Sequence, residues 1–187
     1  METLFAKQDR LLLLTSTEII RTLMHRINWD AQLVAIRGPR GVGKTTLMLQ
    51  YMKLHYEVYS REVLYCTLDS VYFSNHTLLE LADVFVKNGG KHLFLDEVHK
   101  YPTWSKEIKE VYDMYPDLKV VFSASSLLNI LNADADLSRR CIPYEMQGLS
   151  FREFLLFYKQ MSFPVCTLEE VLTSPEKICS EVNKVCR

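Results

Sequence analysis

The segment Gly38-Pro39-Arg40-Gly41-Val42-Gly43-Lys44-Thr45 matches the pattern G-x-x-x-x-G-K-[ST] over its full length. Its glycines allow a tight turn in which backbone N–H groups face a phosphate group. The lysine ammonium can reach the β and γ phosphates of a nucleoside triphosphate, and the threonine hydroxyl can bind Mg²⁺. The pattern therefore predicts a phosphate-binding loop. Its predicted nucleotide-binding residues are Gly38, Pro39, Arg40, Gly41, Val42, Gly43, Lys44, Thr45 and Thr46.

The segments on either side of this loop support the prediction. Residues 33–36 are an apolar run of strand type, and residues 45–52 are predicted to form a helix. A helix that begins at the loop places the positive end of its dipole where the anion binds. A chance glycine-rich turn would not require this context, so the nucleotide-binding interpretation is favoured.

A second motif, residues 92–97, is an apolar strand that ends in two acids. Asp96 falls where a Walker-B carboxylate helps to hold Mg²⁺, often through water. Glu97 is then predicted to orient or deprotonate the attacking water. The alternative is that these acids are only a polar exit from a strand. The spacing of the motif along the sequence after Lys44, on a predicted strand, argues against that alternative. Asp69, just past the second predicted strand, is interpreted as a loop residue. His99, which follows the motif, is interpreted as a structural or solvated histidine.

Hydroxyl and guanidinium groups further along the chain are additional candidates. Ser123, at the end of the strand predicted over residues 118–122, is the first choice to sense the γ phosphate or position water, and Ser125 is the second. For Ser123, sensing and capping of the next helix both stay open, whereas capping is favoured for Ser125 and Ser126. Arg139 or Arg140 could supply charge to a neighbouring subunit's transition state, or form a solvated surface pair.

Predicted strands and helices alternate along most of the chain. Strands are predicted at 33–36, 62–67, 92–95, 118–122 and 142–146, and helices at 19–27, 45–52, 77–86, 104–114, 126–131 and 151–159. Residues 1–10 show no clear period, and Thr15 with Glu18 is predicted to be a capping box. Alternation favours an α/β fold in which a parallel sheet has helices on both faces. Right-handed crossovers then bring the carboxyl ends of the strands to one edge.

Composition is that of an ordinary globular protein. The chain has 187 residues, 48% of them hydrophobic, and a formal net charge of −1, so no anionic partner is demanded. No apolar stretch is long enough to span a bilayer, and the N-terminus lacks the pattern of a secretory signal. The five cysteines include no C-x-x-C pair, which disfavours a metal site or a disulfide framework and favours a cytoplasmic location.

Four segments resemble, in order, the AAA+-like prokaryotic P-loop ATPases, and among them the group whose ATPase core precedes a nuclease-like C-terminal domain. These segments are residues 38–46, residues 93–100 with Trp104, residues 123–126 and residues 149–154. The resemblance implies a three-layer P-loop NTPase core whose parallel sheet of about five strands has the order 5-1-4-3-2. Members usually run well past this length, so the chain is expected to be a piece of a longer protein.

The resemblance also implies ATP and Mg²⁺ as ligands, with Thr45 and Asp96 on the metal. It places Ser123 at the sensor position and Arg140 as an arginine supplied in trans within a homo-oligomer, while DNA is a partner by resemblance only. Two positions depart from the family pattern, since Ala124 and Arg139 stand where glycine is common.

These inferences predict a helical lead-in at 1–32, an ATPase core at 33–160, and a helical tail or the start of a lid or second domain at 161–187. The predicted function is Mg²⁺-dependent ATP hydrolysis coupled to a partner or appended domain. A non-hydrolysing, nucleotide-gated interaction module is the alternative. A GTPase would need an Asn-Lys-x-Asp motif, which the sequence lacks, and a small-molecule kinase would need an arginine-rich lid.

Overall fold

The computed structural model describes residues 1–124, 137, 139–162, 166–174, 176, 179, 180 and 183. Its centre is a five-stranded sheet in which all pairings are parallel. The strands are Leu33–Arg37 (β1), Val63–Thr67 (β2), His92–Asp96 (β3), Lys119–Ala124 (β4) and Ile142–Glu145 (β5). Their order across the sheet is β2-β3-β4-β1-β5, which confirms the predicted order.

Helices pack on both faces of this sheet, as predicted. They are Glu2–Leu14 (α1), Lys44–His55 (α2), Leu78–Lys87 (α3) and Trp104–Met114 (α4). Two further helices, Phe151–Lys159 (α5) and Leu168–Thr173 (α6), follow in the C-terminal part of the chain. Alternate residues of β1 point to opposite faces. Leu33 and Ala35 lie in the core cluster formed with α1, α3 and α4, whereas Val34 and Ile36 lie in the cluster formed with α2. The sheet is therefore the middle of three layers.

Helix α1 falls within the helical lead-in predicted over 1–32, but its bounds were not predicted, because its apolar residues do not follow its buried face. Leu4 and Phe5 are buried, but the third buried position is polar Gln8, and Leu13 and Leu14 are exposed. Gln8 is buried because its side chain continues the hydrogen bonding of the edge strand β2. Its Nε2 donates to the Val63 carbonyl at 3.3 Å, and its Oε1 accepts from the Tyr65 N–H at 2.7 Å. A hydropathy pattern cannot anticipate such a contact.

The predicted capping box at Thr15 and Glu18 is wrong. Thr15 follows the end of α1, and its hydroxyl donates to the Leu11 carbonyl at 2.7 Å. Only a short 3₁₀ turn, Thr22–His25, forms within the helix predicted over 19–27. The Gln50 side chain donates to the carbonyl groups of residues 16 and 19, at 2.8 and 2.9 Å, so these acceptors bond to a side chain instead of a helical N–H.

The C-terminal part of the chain was predicted less well than the sheet. Helix α5 has the predicted bounds, while α6 was missed although Thr167 and Glu170 form a capping box there. The helix predicted at 126–131 lies outside the described residues. The chain divides into two compact units, Met1–Ser150 and Phe151–Arg187. The predicted domain boundaries at residues 32 and 160 stay predictions. Within the described ranges no helix has the length and apolarity needed to cross a membrane.

His92, the first residue of β3, is a buried histidine at the amino-terminal edge of the sheet. Its Nδ1 lies 2.7 Å from the Tyr56 hydroxyl, and its Nε2 has no hydrogen-bond partner in the part of the chain that the structure describes. Burial lowers the pKa of His92 from 6.5 to about 3, so the folded protein keeps this ring neutral.

This shift predicts acid sensitivity. Below pH 6.5 the unfolded chain binds a proton at His92 that the folded chain refuses until about pH 3. The free energy of unfolding should therefore fall with decreasing pH by about 1.4 kcal/mol per pH unit from this residue. The free energy of unfolding can be measured by urea denaturation at several pH values between 7 and 4. His92→Gln should reduce the dependence of this free energy on pH by that amount. His55→Gln, at an exposed site, should not. Equal slopes for wild type and His92→Gln would contradict the burial argument.

Candidate nucleotide-binding site

The phosphate-binding loop connects the end of β1 to the start of α2. Gly43 precedes α2 with φ +99°, a conformation that favours glycine. Gly38 is fixed by a close approach, since a Cβ there would lie 2.2 Å from the Met146 carbonyl oxygen. The exposed tip of the loop consists of Pro39, Arg40 and Gly41. The loop thus needs glycine where its backbone meets the segment after β5 and where it enters α2.

Lys44 is buried inside this loop, with 5% of its surface exposed. Its Nζ donates to the carbonyl oxygens of Gly38 and Pro39, each at 2.8 Å. Burial lowers the pKa of Lys44, and the carboxylates of Glu97 and Asp96 oppose that shift. The ammonium group is therefore held at the loop in a setting where few waters compete for it.

Asp96, at the end of β3, joins the two sequence motifs. Its Oδ2 accepts from the Thr45 hydroxyl at 2.5 Å and from the Tyr65 hydroxyl at 2.8 Å. Its Oδ1 accepts from the Ser123 hydroxyl and from the Glu97 N–H. Strands β2, β3 and β4 and the first turn of α2 all contribute to this cluster. Both carboxylate oxygens are consequently fixed by donors on either side.

Glu97 directly follows β3 in the left-handed region, with φ +54° and ψ +39°. A residue other than glycine adopts this conformation rarely, and such conformations cluster at functional sites. The Glu97 Oε2 lies 3.3 Å from the Nε2 of His99, and about a third of the Glu97 side chain is exposed. His99, interpreted from sequence as structural or solvated, thus contacts the carboxylate of the second acid.

Ser123 lies in the predicted place, at the end of β4, and is fully buried. Its hydroxyl donates to Asp96 and accepts from the Glu97 N–H at 3.2 Å. It therefore links the two acids to each other. Ser125 lies outside the described residues, and exposed Asp69 follows β2 at the same edge of the sheet.

Arg140 lies away from this cluster within its own subunit. It precedes β5, whose first residue Ile142 pairs with Val34 near the start of β1, whereas the loop follows Arg37. A five-residue strand is about 16 Å long, so Arg140 is at the opposite edge of the sheet. Its Nε donates to Asp113 Oδ1 at 3.1 Å. Arg139 is exposed.

Sequence reasoning missed two residues that support the site. Arg21 donates to the Val42 carbonyl at 2.9 Å and to the Gln147 and Gly148 carbonyls at 2.8 and 3.1 Å, which ties the loop to the segment after β5. Tyr65, from β2, bonds to Asp96. Val63 and Tyr65 are two residues apart in β2, so their side chains lie on the same face of the sheet, toward α2. This spacing is the sequence feature that could have identified Tyr65.

The donor set at this edge fits a hard divalent cation. Mg²⁺ is usually held by one or two carboxylates together with substrate phosphates and water. The Thr45 hydroxyl and the Asp96 carboxylate supply oxygen ligands directly beside the loop. The described part of the chain, this edge included, brings no three or more His, Cys, Asp or Glu side chains together to hold a metal ion, so Mg²⁺ here would depend on phosphate and water ligands as well.

The parallel sheet, the loop after β1 and the acids after β3 define an AAA+-like P-loop ATPase domain. The chain belongs to the AAA domain family AAA_14, whose family model matches residues 30–155. The domain is thus of a nucleotide-binding type, and an ATPase-type core is established at that level.

Similar proteins include two from Methanocaldococcus jannaschii. Uncharacterized protein MJ1637 is 26% identical over 155 residues, which are 79% of this chain and 32% of that protein. Uncharacterized protein MJ1544 is 28% identical over 131 residues, 67% of this chain and 29% of that protein. The chain thus spans about a third of the length of these relatives. The structure of C. elegans PCH-2 matches with a TM-score of 0.47 and 14% identity, over 78% of this chain and 42% of that one.

Proposed function

We propose that the chain is the ATP-binding, Mg²⁺-dependent ATPase core of a larger AAA+-type protein, and that hydrolysis drives a partner or an appended domain. The observation that carries this proposal is the meeting of Lys44, Thr45 and Asp96 at one edge of the sheet, with Glu97 beside them. An ammonium group and a hydroxyl at the start of α2, with two carboxylates at the end of β3, form a set suited to a triphosphate and its Mg²⁺.

Binding would use groups that are already in place. The loop N–H groups and the start of α2 face the phosphates, and Lys44 exchanges its bonds to two loop carbonyls for bonds to phosphate oxygens. The Thr45 hydroxyl, which donates to Asp96, would have a lone pair available to hold Mg²⁺. When bound, Mg²⁺ neutralises charge on the β and γ phosphates. The Arg21 contacts hold the loop backbone during this exchange.

Glu97 is the proposed general base. Ser123 bonds the Asp96 carboxylate and the Glu97 N–H, so the Glu97 backbone is held in its left-handed conformation beside Asp96. We expect His99 to restrain the Glu97 carboxylate until water is bound near it. The geometry of Ser123 supports a role in orienting the acids, and its contact with the γ phosphate stays a prediction.

An interaction module that binds ATP without hydrolysing it is the second candidate. The contact between Glu97 Oε2 and His99 favours it, because a carboxylate oxygen engaged by another side chain is less available to accept a proton from water. Arg140 lies at the edge of the sheet opposite its own loop. It could therefore act as an arginine finger only at the site of another subunit. Hydrolysis by an isolated subunit is then expected to be slow.

The decisive experiment is phosphate release from ATP measured over a range of protein concentrations, with Mg²⁺ and with EDTA. We expect metal-dependent release whose rate per subunit rises with concentration, because catalysis is shared between subunits. Duplex DNA added to the same assay tests the partner suggested by the resemblance. If ATP binds tightly but no phosphate is released at any concentration, the interaction module is correct.

Mixing of variants tests Arg140 in the same assay. Arg140→Ala should reduce the rate by about 10³-fold or more, as loss of an arginine finger does. Addition of the Lys44→Ala variant, which keeps Arg140, should restore part of the rate by completing neighbouring sites. Asp113→Asn, which removes only the ion-pair partner, should retain the rate. If Arg139→Ala, not Arg140→Ala, is complemented in this way, the neighbouring arginine is the finger.

A further inference from the structure

Asp96 is held by a hydroxyl from a strand that carries neither sequence motif. Tyr65 of β2 is 6% exposed, and its ring lies in the apolar cluster beneath α2. Its hydroxyl donates to Asp96 Oδ2 at 2.8 Å, the same oxygen that accepts from Thr45. Because Thr45 must also face the metal, Tyr65 is the donor that fixes Oδ2 without contacting the ligand.

Tyr65 is itself fixed by α1, a helix outside residues 30–155 that the family model matches. The Gln8 side chain, 1% exposed, bonds to the Tyr65 N–H at 2.7 Å and to the Val63 carbonyl at 3.3 Å. These two bonds set the position of β2 at its unpaired edge. A continuous chain of contacts therefore runs from Gln8 through Tyr65 to Asp96.

We propose that Tyr65 is a positioning residue of the Mg²⁺ site and that Gln8 of α1 holds it in place; this rests on the proposed function, since Asp96 must face the metal. Without the tyrosine hydroxyl, Asp96 keeps its bonds at Oδ1 and the Thr45 bond at Oδ2, but Oδ2 loses the donor that would hold it in one orientation toward Mg²⁺. Partners that orient ligands in this way commonly change metal affinity by 10–100-fold.

The test measures binding, not turnover. A fluorescent ATP analogue is titrated in EDTA, and Mg²⁺ is then titrated at fixed analogue. Tyr65→Phe should raise the Mg²⁺ concentration for half-maximal enhancement of binding by about 10-fold, and should leave affinity in EDTA unchanged. The control, Tyr56→Phe, removes another tyrosine hydroxyl, which is half-buried and bonds His92 Nδ1 at 2.7 Å at the opposite edge. It should leave the Mg²⁺ requirement unchanged.

Gln8→Met tests the second contact. It removes both bonds to β2 and keeps the side-chain length. We expect it to raise the Mg²⁺ requirement in the wild-type background and to add nothing in the Tyr65→Phe background, because both changes act through the same carboxylate. Additive effects would overturn the coupling of Gln8 to Tyr65.

An unchanged Mg²⁺ requirement in folded Tyr65→Phe overturns the proposal. If circular dichroism finds Tyr65→Phe unfolded, Gln8→Met decides alone, and an unchanged requirement in that variant overturns the proposal. A wild-type chain that binds the analogue equally with Mg²⁺ and with EDTA overturns the proposed function and this inference together. That failure is distinguishable because it appears without any substitution.

Discussion

Lys44→Ala is expected to abolish ATP binding at micromolar nucleotide, with a loss of affinity of about 100-fold or more. Removing one partner of a buried charged contact typically costs about 2–5 kcal/mol, and each 1.4 kcal/mol is about tenfold in affinity. The buried Lys44 ammonium is placed to make such contacts with phosphate oxygens. Isothermal titration calorimetry with ATP and Mg²⁺ measures the effect.

Lys53→Ala is the matched control for this variant. Lys53 belongs to the same helix α2 and also donates to a backbone carbonyl, that of Thr15, at 2.6 Å, but it is exposed near the other end of the helix. Its replacement should leave ATP affinity unchanged. Retained affinity in Lys44→Ala, with the fold intact by circular dichroism, would contradict the assignment of the loop.

Glu97→Gln is expected to slow single-turnover hydrolysis by about 10²–10⁴-fold, the usual contribution of a general base. ATP affinity should be retained, because glutamine keeps the size of the side chain. The bond between Asp96 and residue 97 uses the backbone N–H, which the substitution does not change. The neutral amide can still meet His99 but cannot accept a proton from water. Quenched-flow measurement with protein in excess over ATP separates this effect from nucleotide binding.

Glu57→Gln, at an exposed position after α2, makes the same chemical change far from the loop and should hydrolyse ATP as wild type does. Equal single-turnover rates for wild type and Glu97→Gln would remove Glu97 from catalysis. That result would favour the interaction module, since Glu97 is the carboxylate beside the loop whose exposed part is open to water.

The sheet was predictable because each central strand is a short apolar run between clear turn signals. In residues 92–96 every position is buried, and a parallel strand covered on both faces needs continuous apolarity up to its final acid. The motifs then located Lys44, Thr45 and Asp96 at one edge without further information. The physical rule that parallel strands end together was sufficient for this step.

The supporting contacts were not predictable, because they join residues far apart in sequence through side chains of ambiguous character. Tyr65 is apolar in ring and polar in hydroxyl, and no periodicity tells which neighbour its oxygen meets. Gln8 and Gln50 replace backbone partners that a pattern analysis assigns to strands or helices. Arg140 was predicted to precede the fifth strand, as it does. Only the strand register reveals that it lies at the edge of the sheet opposite the phosphate-binding loop of its own chain.

Each outer strand of the sheet carries a feature that interrupts further pairing. Gln8 bonds to the Val63 carbonyl and the Tyr65 N–H of β2, and β5 carries Pro143, which has no N–H to donate. These features shorten the ladder of backbone hydrogen bonds that a strand from another chain could form at either border. Edge-to-edge joining of sheets is therefore disfavoured at these positions.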